Sequence, residues 1–176
     1  HYQLRHVVFD PVMVATSGDR LIEHDTVRLL VDRLFPLASV ITPNLDEASL
    51  LLEREIKSVE GLPQAAHALL EQGAQAVLLK GGHLSGDDVV DVLARHGHAD
   101  VMLASRRIAS RNTHGTGCTL SSAVAAHLAL GQPLEQAVRS ARAYILSAIA
   151  AGAGVQVGQG HGPLNHGHAP MATRLF

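Results

Sequence analysis

The sequence predicts an α/β fold, a mainly parallel central sheet flanked by helices, and three observations carry that prediction. Short apolar runs alternate with segments of helical periodicity. The runs close on an acid, a proline or a glycine pair, at Asp10-Pro11, Thr42-Pro43 and Lys80-Gly81-Gly82. A turn bracketed by glycines, His114-Gly115-Thr116-Gly117-Cys118, then opens a long apolar helix.

Residues 7–10 are a continuous apolar run ended by an acid and Pro11, the pattern of a buried parallel strand. Asp25 is placed to cap a helix through about residue 34, with Val27, Leu30, Val31 and Leu34 on one face. Residues 39–42 predict a second short strand, stopped by Pro43. Residues 45–52 predict a helix with an acidic start, and 63–71 another, with Pro63 in its first turn and Gly73 past its end. A third strand, 76–80, runs into Gly81-Gly82-His83. Residues 89–93 and 101–105 predict two strands joined by a polar turn at 96–100. The longest helices, 119–130 and 134–151, are separated by Gly131-Gln132-Pro133, and residues 152–176, rich in Gly and His, predict an irregular tail. No internal repeat or long linker divides the chain, so residues 1–176 are expected to form one domain.

Composition narrows the class. With 176 residues, 47% hydrophobic and 17% charged, the chain is rich enough in apolar side chains for a full core and unlike a disordered segment. A formal net charge of −2 without a clustered basic run argues against a nucleic-acid binder. No apolar run reaches the roughly 18 residues a membrane-spanning helix needs. A single cysteine permits no internal disulfide and suits a reducing, cytoplasmic setting. The first residues, His1-Tyr2-Gln3-Leu4-Arg5, lead directly into an apolar strand. The sequence therefore reads as starting inside an α/β domain, with an earlier part expected.

In an open α/β sheet, ligands bind beyond the carboxyl ends of the strands. Asp10-Pro11-Val12-Met13, Thr42-Pro43-Asn44-Leu45-Asp46-Glu47 and Lys80-Gly81-Gly82-His83 all fall there. Each has a purely structural reading: Asp10 as a strand terminator, Asp46 and Glu47 as complements of a helix dipole, Lys80 as a solvated strand end, Cys118 as an inert thiol. Their common location favours chemistry. Asn44 and Glu47, three apart on an opening helix, share a face, and an amide plus a carboxylate suits a hydrated Mg²⁺. Lys80, followed by a flexible turn, can reach a phosphate. Gly115 and Gly117 let backbone N–H groups converge at a helix N-terminus, which makes an anion seat. Cys118 beside it is the candidate acceptor of an alcohol's proton in phosphoryl transfer. His161, His166 and His168 lack the i, i+4 spacing that sets two ligands on one zinc. His127 falls in an apolar helix as a core or boundary residue, and His114 flanks the anion seat.

Together these motifs resemble the ribokinase-like superfamily, and within it the bacterial hydroxymethylpyrimidine/phosphomethylpyrimidine kinases of thiamin biosynthesis. The pieces run in the family's order: Asp10-Pro11-Val12-Met13-Val14-Ala15 with Ser17-Gly18, Ile41-Thr42-Pro43-Asn44 with Glu47-Ala48, Lys80-Gly81-Gly82-His83, and Asn112-Thr113-His114-Gly115-Thr116-Gly117-Cys118-Thr119-Leu120-Ser121-Ser122-Ala123. The tail, His161-Gly162-Pro163-Leu164-Asn165-His166, is similar to that family's C-terminus. Sugar kinases of the superfamily usually carry an aspartate where Cys118 stands, as do most pyridoxal kinases, so the cysteine points to an aminopyrimidine.

The resemblance implies ATP- and Mg²⁺-dependent phosphorylation of 4-amino-5-hydroxymethyl-2-methylpyrimidine, then of its monophosphate. Cys118 would be the base, and Gly115, Thr116 and Gly117 the anion hole. Asn44 and Glu47 would serve Mg²⁺ and phosphates, with Asp10 near the metal and triphosphate and Lys80 near the transferred phosphate. Thr42, His83 and Thr113 would join the nucleotide site, and Val12 would lie against the pyrimidine. The family also tends towards homodimers. Its members open with a strand and a glycine-rich, aspartate-containing segment that forms much of the substrate pocket, and this sequence lacks it. A protein limited to these residues is expected to bind nucleotide weakly and turn over little. Two further readings stand beside this one: a pyridoxal or dual-specificity vitamin kinase on the same fold, and a non-catalytic ligand-binding module derived from a kinase. A dinucleotide-binding domain is disfavoured, since no Gly-x-Gly-x-x-Gly follows the first strand.

Overall fold

A computed structural model describes residues 4–14, 21–156 and 158–170. Ala15, Ser17 and Gly18 of the first motif lie outside the described residues. The apolar runs form strands β1 (Val8–Phe9), β2 (Val40–Ile41), β3 (Ala76–Leu79), β4 (Asp88–Arg95) and β5 (Val101–Arg106). These lie in chain order in one five-stranded sheet. β1, β2 and β3 are parallel, with Val8 opposite Val40 and Ile41 opposite Val77. β4 and β5 add to this half antiparallel, with Leu79 opposite Val92 and Asp91 opposite Leu103. The polar turn at 96–100 is too short for a crossover, so β4 and β5 must reverse direction. The sheet is therefore mixed, and its parallel half is the one whose strands are linked by helices.

Period-two alternation sorts each strand's side chains into two cores. Ile41, Val77, Leu79 and Val92 pack with Met13, Phe35, Leu62 and Leu69, beneath α1 (His24–Leu34), α2 (Leu45–Leu52) and α3 (Leu62–Glu71). Val40, Leu78, Leu93 and Leu103 face the other way, onto Leu120, Val124, Val138 and Ile145 of α4 (Thr116–Ala129) and α5 (Leu134–Gly152). The result is three layers, helix, sheet and helix.

Several boundaries differ from expectation for identifiable reasons. Asp25 does not cap α1: the chain enters extended at Glu23, whose carbonyl already accepts from the Thr26 and Val27 amides at 3.1 and 3.2 Å. Asp25 instead sits in the first turn, where its charge suits the helix dipole. Leu34 stays partly exposed, so only Val27, Leu30 and Val31 of the proposed face join the core. α4 starts at Thr116 rather than Thr119, because Gly115 takes a left-handed φ of 82° and turns the chain into the helix immediately. The tail is irregular but tied down. Asn112 Nδ2 donates to the Gly152 and Val155 carbonyls at 2.6 and 2.5 Å. The His114 amide donates to Gly162 O at 3.2 Å, and Leu164 is buried in the second core. His127 is half-buried, a boundary residue.

Phe35 is the largest fully buried side chain and meets Phe9 edge-on at a centroid distance of 6.2 Å. Phe35→Ala is expected to cost about 3–5 kcal/mol. Urea unfolding checks this, and a loss below about 1 kcal/mol would mean that the Phe35 ring does not seal this core.

Candidate active site

The carboxyl ends of the three parallel strands supply the floor of the site. Asp10 follows β1 and Lys80 follows β3, and their side chains meet at 2.9 Å (Nζ to Oδ1) with each 13% exposed. Between them, Thr42 at the end of β2 donates its hydroxyl to the same Asp10 oxygen at 3.0 Å. The Lys80 amide donates to Pro43 O at 2.9 Å, which carries the sheet one residue past β3. Ser121 of α4 brings its Oγ to 3.4 Å from Asp10 Oδ2. One carboxylate thus gathers groups from β2, β3 and α4.

The N-terminus of α4 lies over this floor. A Cβ built on Gly117 would stand 3.1 Å from Lys80 Nζ and 3.8 Å from Asp10 Oδ2, so a side chain there would press on the ammonium. Thr116 turns both its amide and its hydroxyl onto the Thr113 carbonyl, at 3.2 and 2.6 Å. Among the described residues, the Gly115, Gly117 and Cys118 amides have no carbonyl or side-chain acceptor. Of the expected Gly115-Thr116-Gly117 anion hole, the Thr116 amide is engaged with the Thr113 carbonyl, while the two glycine amides are open among the described residues. Cys118 is exposed, in the first turn of the helix.

Asn44 and Glu47 form a capping box at the start of α2. The Asn44 side chain accepts from the Glu47 amide at 2.9 Å, and a Glu47 oxygen accepts from the Asn44 amide at 2.7 Å. They share a face, as expected, but each spends one polar atom on the helix. Glu47 is almost fully buried. Burial raises its carboxyl above the ordinary 4.5, the Asn44 amide and the Lys80 charge pull it back, and the Asp10 charge raises it further. Two carboxylates close enough to repel each other, on the wall of a cleft, fit a divalent cation that keeps most of its waters. Among the described residues, no three His, Cys, Asp or Glu side chains converge as a complete metal cage. The Lys80 ammonium already occupies the Asp10 oxygen that faces β3.

Asp10, Val12, Asn44, Glu47, Lys80, His83, Thr113, Gly115, Thr116, Gly117 and Cys118 all line one cleft of about 660 Å³. Thr42 does not: it is fully buried and acts on the cleft only through Asp10. His83 is held by Asp46 at 2.8 Å, which links the turn after β3 to α2. Sequence reasoning missed Asp91, Ser105 and Arg142, which line the same cleft, and the apolar wall of Ile145, Leu146 and Ile149. An acid inside the apolar run Val89-Val90-Asp91-Val92-Leu93 was the available signal for the first. Nothing local marks Arg142 in its helix. It also missed Arg107, whose guanidinium donates to the Gly82, Leu84 and Gly86 carbonyls and fixes the loop after Lys80. A second hollow, about 690 Å³ between α1 and α2, contains none of the expected residues.

A three-layer sheet with an acid, a lysine and a glycine-lined helix N-terminus at its strand ends defines a ribokinase-like kinase fold. The chain matches the phosphomethylpyrimidine kinase family over residues 1–165, and it belongs to that family. It is 50% identical over 165 residues to a hydroxymethylpyrimidine/phosphomethylpyrimidine kinase of Rhizobium meliloti, an alignment covering 93% of this chain and 62% of the relative. Among solved structures it is similar to an ADP complex of Bacillus subtilis pyridoxal kinase, with a TM-score of 0.85, 39% identity, and 94% of this chain and 62% of that one covered. It is also similar to a phosphomethylpyrimidine kinase of Clostridium difficile, with a TM-score of 0.69, 35% identity, and 84% and 59% covered. The chain thus spans about three fifths of the length of these relatives.

The raised Glu47 carboxyl has a signed consequence. Its favourable contribution to folding is fully present below the unfolded-state value and is lost as pH rises through the folded-state value. Glu47→Gln keeps a capping oxygen and removes the charge. Relative to wild type, it is expected to gain stability between pH 4.5 and neutrality, read by urea unfolding across that window. A difference that is flat with pH would contradict the burial of this charge.

Proposed function

We propose that the protein transfers the terminal phosphoryl group of ATP to the hydroxymethyl oxygen of 4-amino-5-hydroxymethyl-2-methylpyrimidine, and then phosphorylates the resulting monophosphate, as a step of thiamin biosynthesis in the cytoplasm. Membership of the phosphomethylpyrimidine kinase family supports the substrate class. The observation that carries the chemistry is the approach of Gly117 to Lys80, which puts an ammonium, free helix amides and a thiol into one cleft.

Phosphoryl transfer asks little covalent chemistry of a protein; positioning and neutralisation of charge dominate. The Lys80 ammonium and the amides of Gly117 and Cys118 hold the migrating group. Asp10, gripped by Thr42, fixes the ammonium. Cys118 Sγ takes the alcohol's proton as the alcohol oxygen bonds to phosphorus and the bond to the ADP oxygen breaks. Mg²⁺ carried with the nucleotide would be held through its waters by Glu47, Asn44 and Asp10, and would neutralise phosphate charge there. Exposed Val12 stands at the cleft wall as the apolar contact for a pyrimidine ring.

A second reading is favoured by the solved neighbours, several of which are described as pyridoxal kinases, one of them 39% identical to this chain. Turnover of the aminopyrimidine and of pyridoxal, assayed side by side with the protein at its natural length, decides between them. The aminopyrimidine is expected to be preferred, and a preference for pyridoxal would overturn the substrate assignment.

In the same protein, Cys118→Ala is expected to lose ~10²–10⁴ in turnover while keeping its affinity for an ATP analogue. Unchanged turnover would remove the thiol from the reaction. Gly117→Val is expected to lose both turnover and nucleotide affinity, because its side chain displaces Lys80 Nζ. Normal phosphorylation by that variant would move the anion seat elsewhere.

A further inference from the structure

Asp91 and Arg142 form an ion pair that the proposed reaction does not use. Asp91 lies in the middle of β4, Arg142 projects from α5, and their side chains are 9% and 11% exposed. Arg142 Nε donates to Asp91 Oδ2 at 2.8 Å, and Nη2 reaches Ser105 Oγ on β5 at 3.4 Å. The other carboxylate oxygen, Oδ1, accepts the Gly81 amide at 2.9 Å. Gly81 is the residue after Lys80. A Cβ at Gly81 would fall 2.0 Å from Val90 O, so the turn after β3 is pressed against the β4 backbone beside Asp91.

Burying two charges gains little over a well-packed apolar pair, so packing alone does not explain a salt bridge among Val90, Val92 and Leu93. What an apolar pair cannot supply is a charge-assisted acceptor for the Gly81 amide, aimed by a guanidinium that is itself anchored on β5. A continuous set of contacts therefore runs from α5 through Asp91 and Gly81 to Lys80, and from Lys80 to Asp10.

We propose that Asp91 and Arg142 are positioning residues for Lys80: the carboxylate fixes the Gly81 amide, and with it the direction in which the Lys80 ammonium meets Asp10 and the N-terminus of α4. The proposal rests on the phosphoryl-transfer reading for its kinetic consequences, while its structural consequence stands apart from any substrate. Loss of the pair frees the turn, and Lys80 then samples positions away from the migrating phosphate. Displacement of a charge by about 1 Å can cost up to ~10²-fold in rate.

Two measurements test this in the protein at its natural length. In the first, kcat and KM are compared for wild type, Asp91→Asn, Arg142→Lys and Arg142→Met, each also in a Lys80→Ala background. A fall in kcat of ~10–10²-fold is expected for Asp91→Asn and Arg142→Met, with KM changed little, partial recovery in Arg142→Lys, and almost no further loss once Lys80 is absent. Losses that multiply with Lys80→Ala overturn the proposal. In the second, NMR follows the Gly81 amide and the Lys80 side-chain carbon next to the ammonium. The Gly81 amide is expected to exchange faster and the Lys80 signal to shift in the variants. An unmoved Lys80 signal in folded Asp91→Asn or Arg142→Met overturns the proposal, and Arg142→Met carries both tests if Asp91→Asn does not fold. If wild type phosphorylates neither alcohol, the proposed function fails, and the NMR result alone still decides the positioning role.

Discussion

The site depends on one ion pair, Asp10 with Lys80. These residues are 70 positions apart in sequence, yet their charged atoms lie 2.9 Å from each other. The pair ties the end of β1 to the end of β3 over the intervening β2, whose Thr42 braces it from below. A buried pair is a poor device for stability, since desolvation offsets most of its attraction, but removing one partner strands a charge at a cost of about 3–5 kcal/mol. Its value lies in location. An ammonium is held where the N-terminus of α4 comes down beside it.

The cleft consequently has two electrical sides. Lys80 and the open amides of α4 favour an anion, while the Asp10 and Glu47 carboxylates favour a cation. A metal-bound polyphosphate, the ligand of the proposed reaction, would answer both at once. Everything around the floor restrains it: Asn112 and the tail brace the loop before Gly115, Arg107 pins the loop after Lys80, and the capping box stiffens the start of α2. The apolar wall from α5 extends the cleft away from the reacting groups, with room for the ring system of a nucleotide or an acceptor.

Much of this was legible in the residues themselves. Strand-terminating Asp10 and Lys80, and the glycine-bracketed entry to α4, announce themselves because each sits where an apolar run stops, and the sheet then brings such ends together. The Asn44-to-Glu47 spacing was equally visible, though it carries two meanings, a helix cap and a cation site, and the structure shows the first without removing the second. What escaped reading are effects of tertiary distance. Thr42 looks like a site residue because it neighbours Pro43 and Asn44, but strand alternation turns it inward, beneath Asp10. Asp91 and Arg142 meet across 51 residues of sequence, and neither has a local motif. Thr116 loses its amide to Thr113 through turn geometry that no residue pattern specifies.

The account turns on where the migrating phosphoryl group lies. A crystal structure of the protein at its natural length, with a non-hydrolysable ATP analogue and the aminopyrimidine, tests this most directly. The terminal phosphate is expected between Lys80 Nζ and the Gly117 and Cys118 amides, with the acceptor hydroxyl in hydrogen-bond reach of Cys118 Sγ. A terminal phosphate bound away from Lys80 and the start of α4, or a hydroxyl facing some other base, would contradict it.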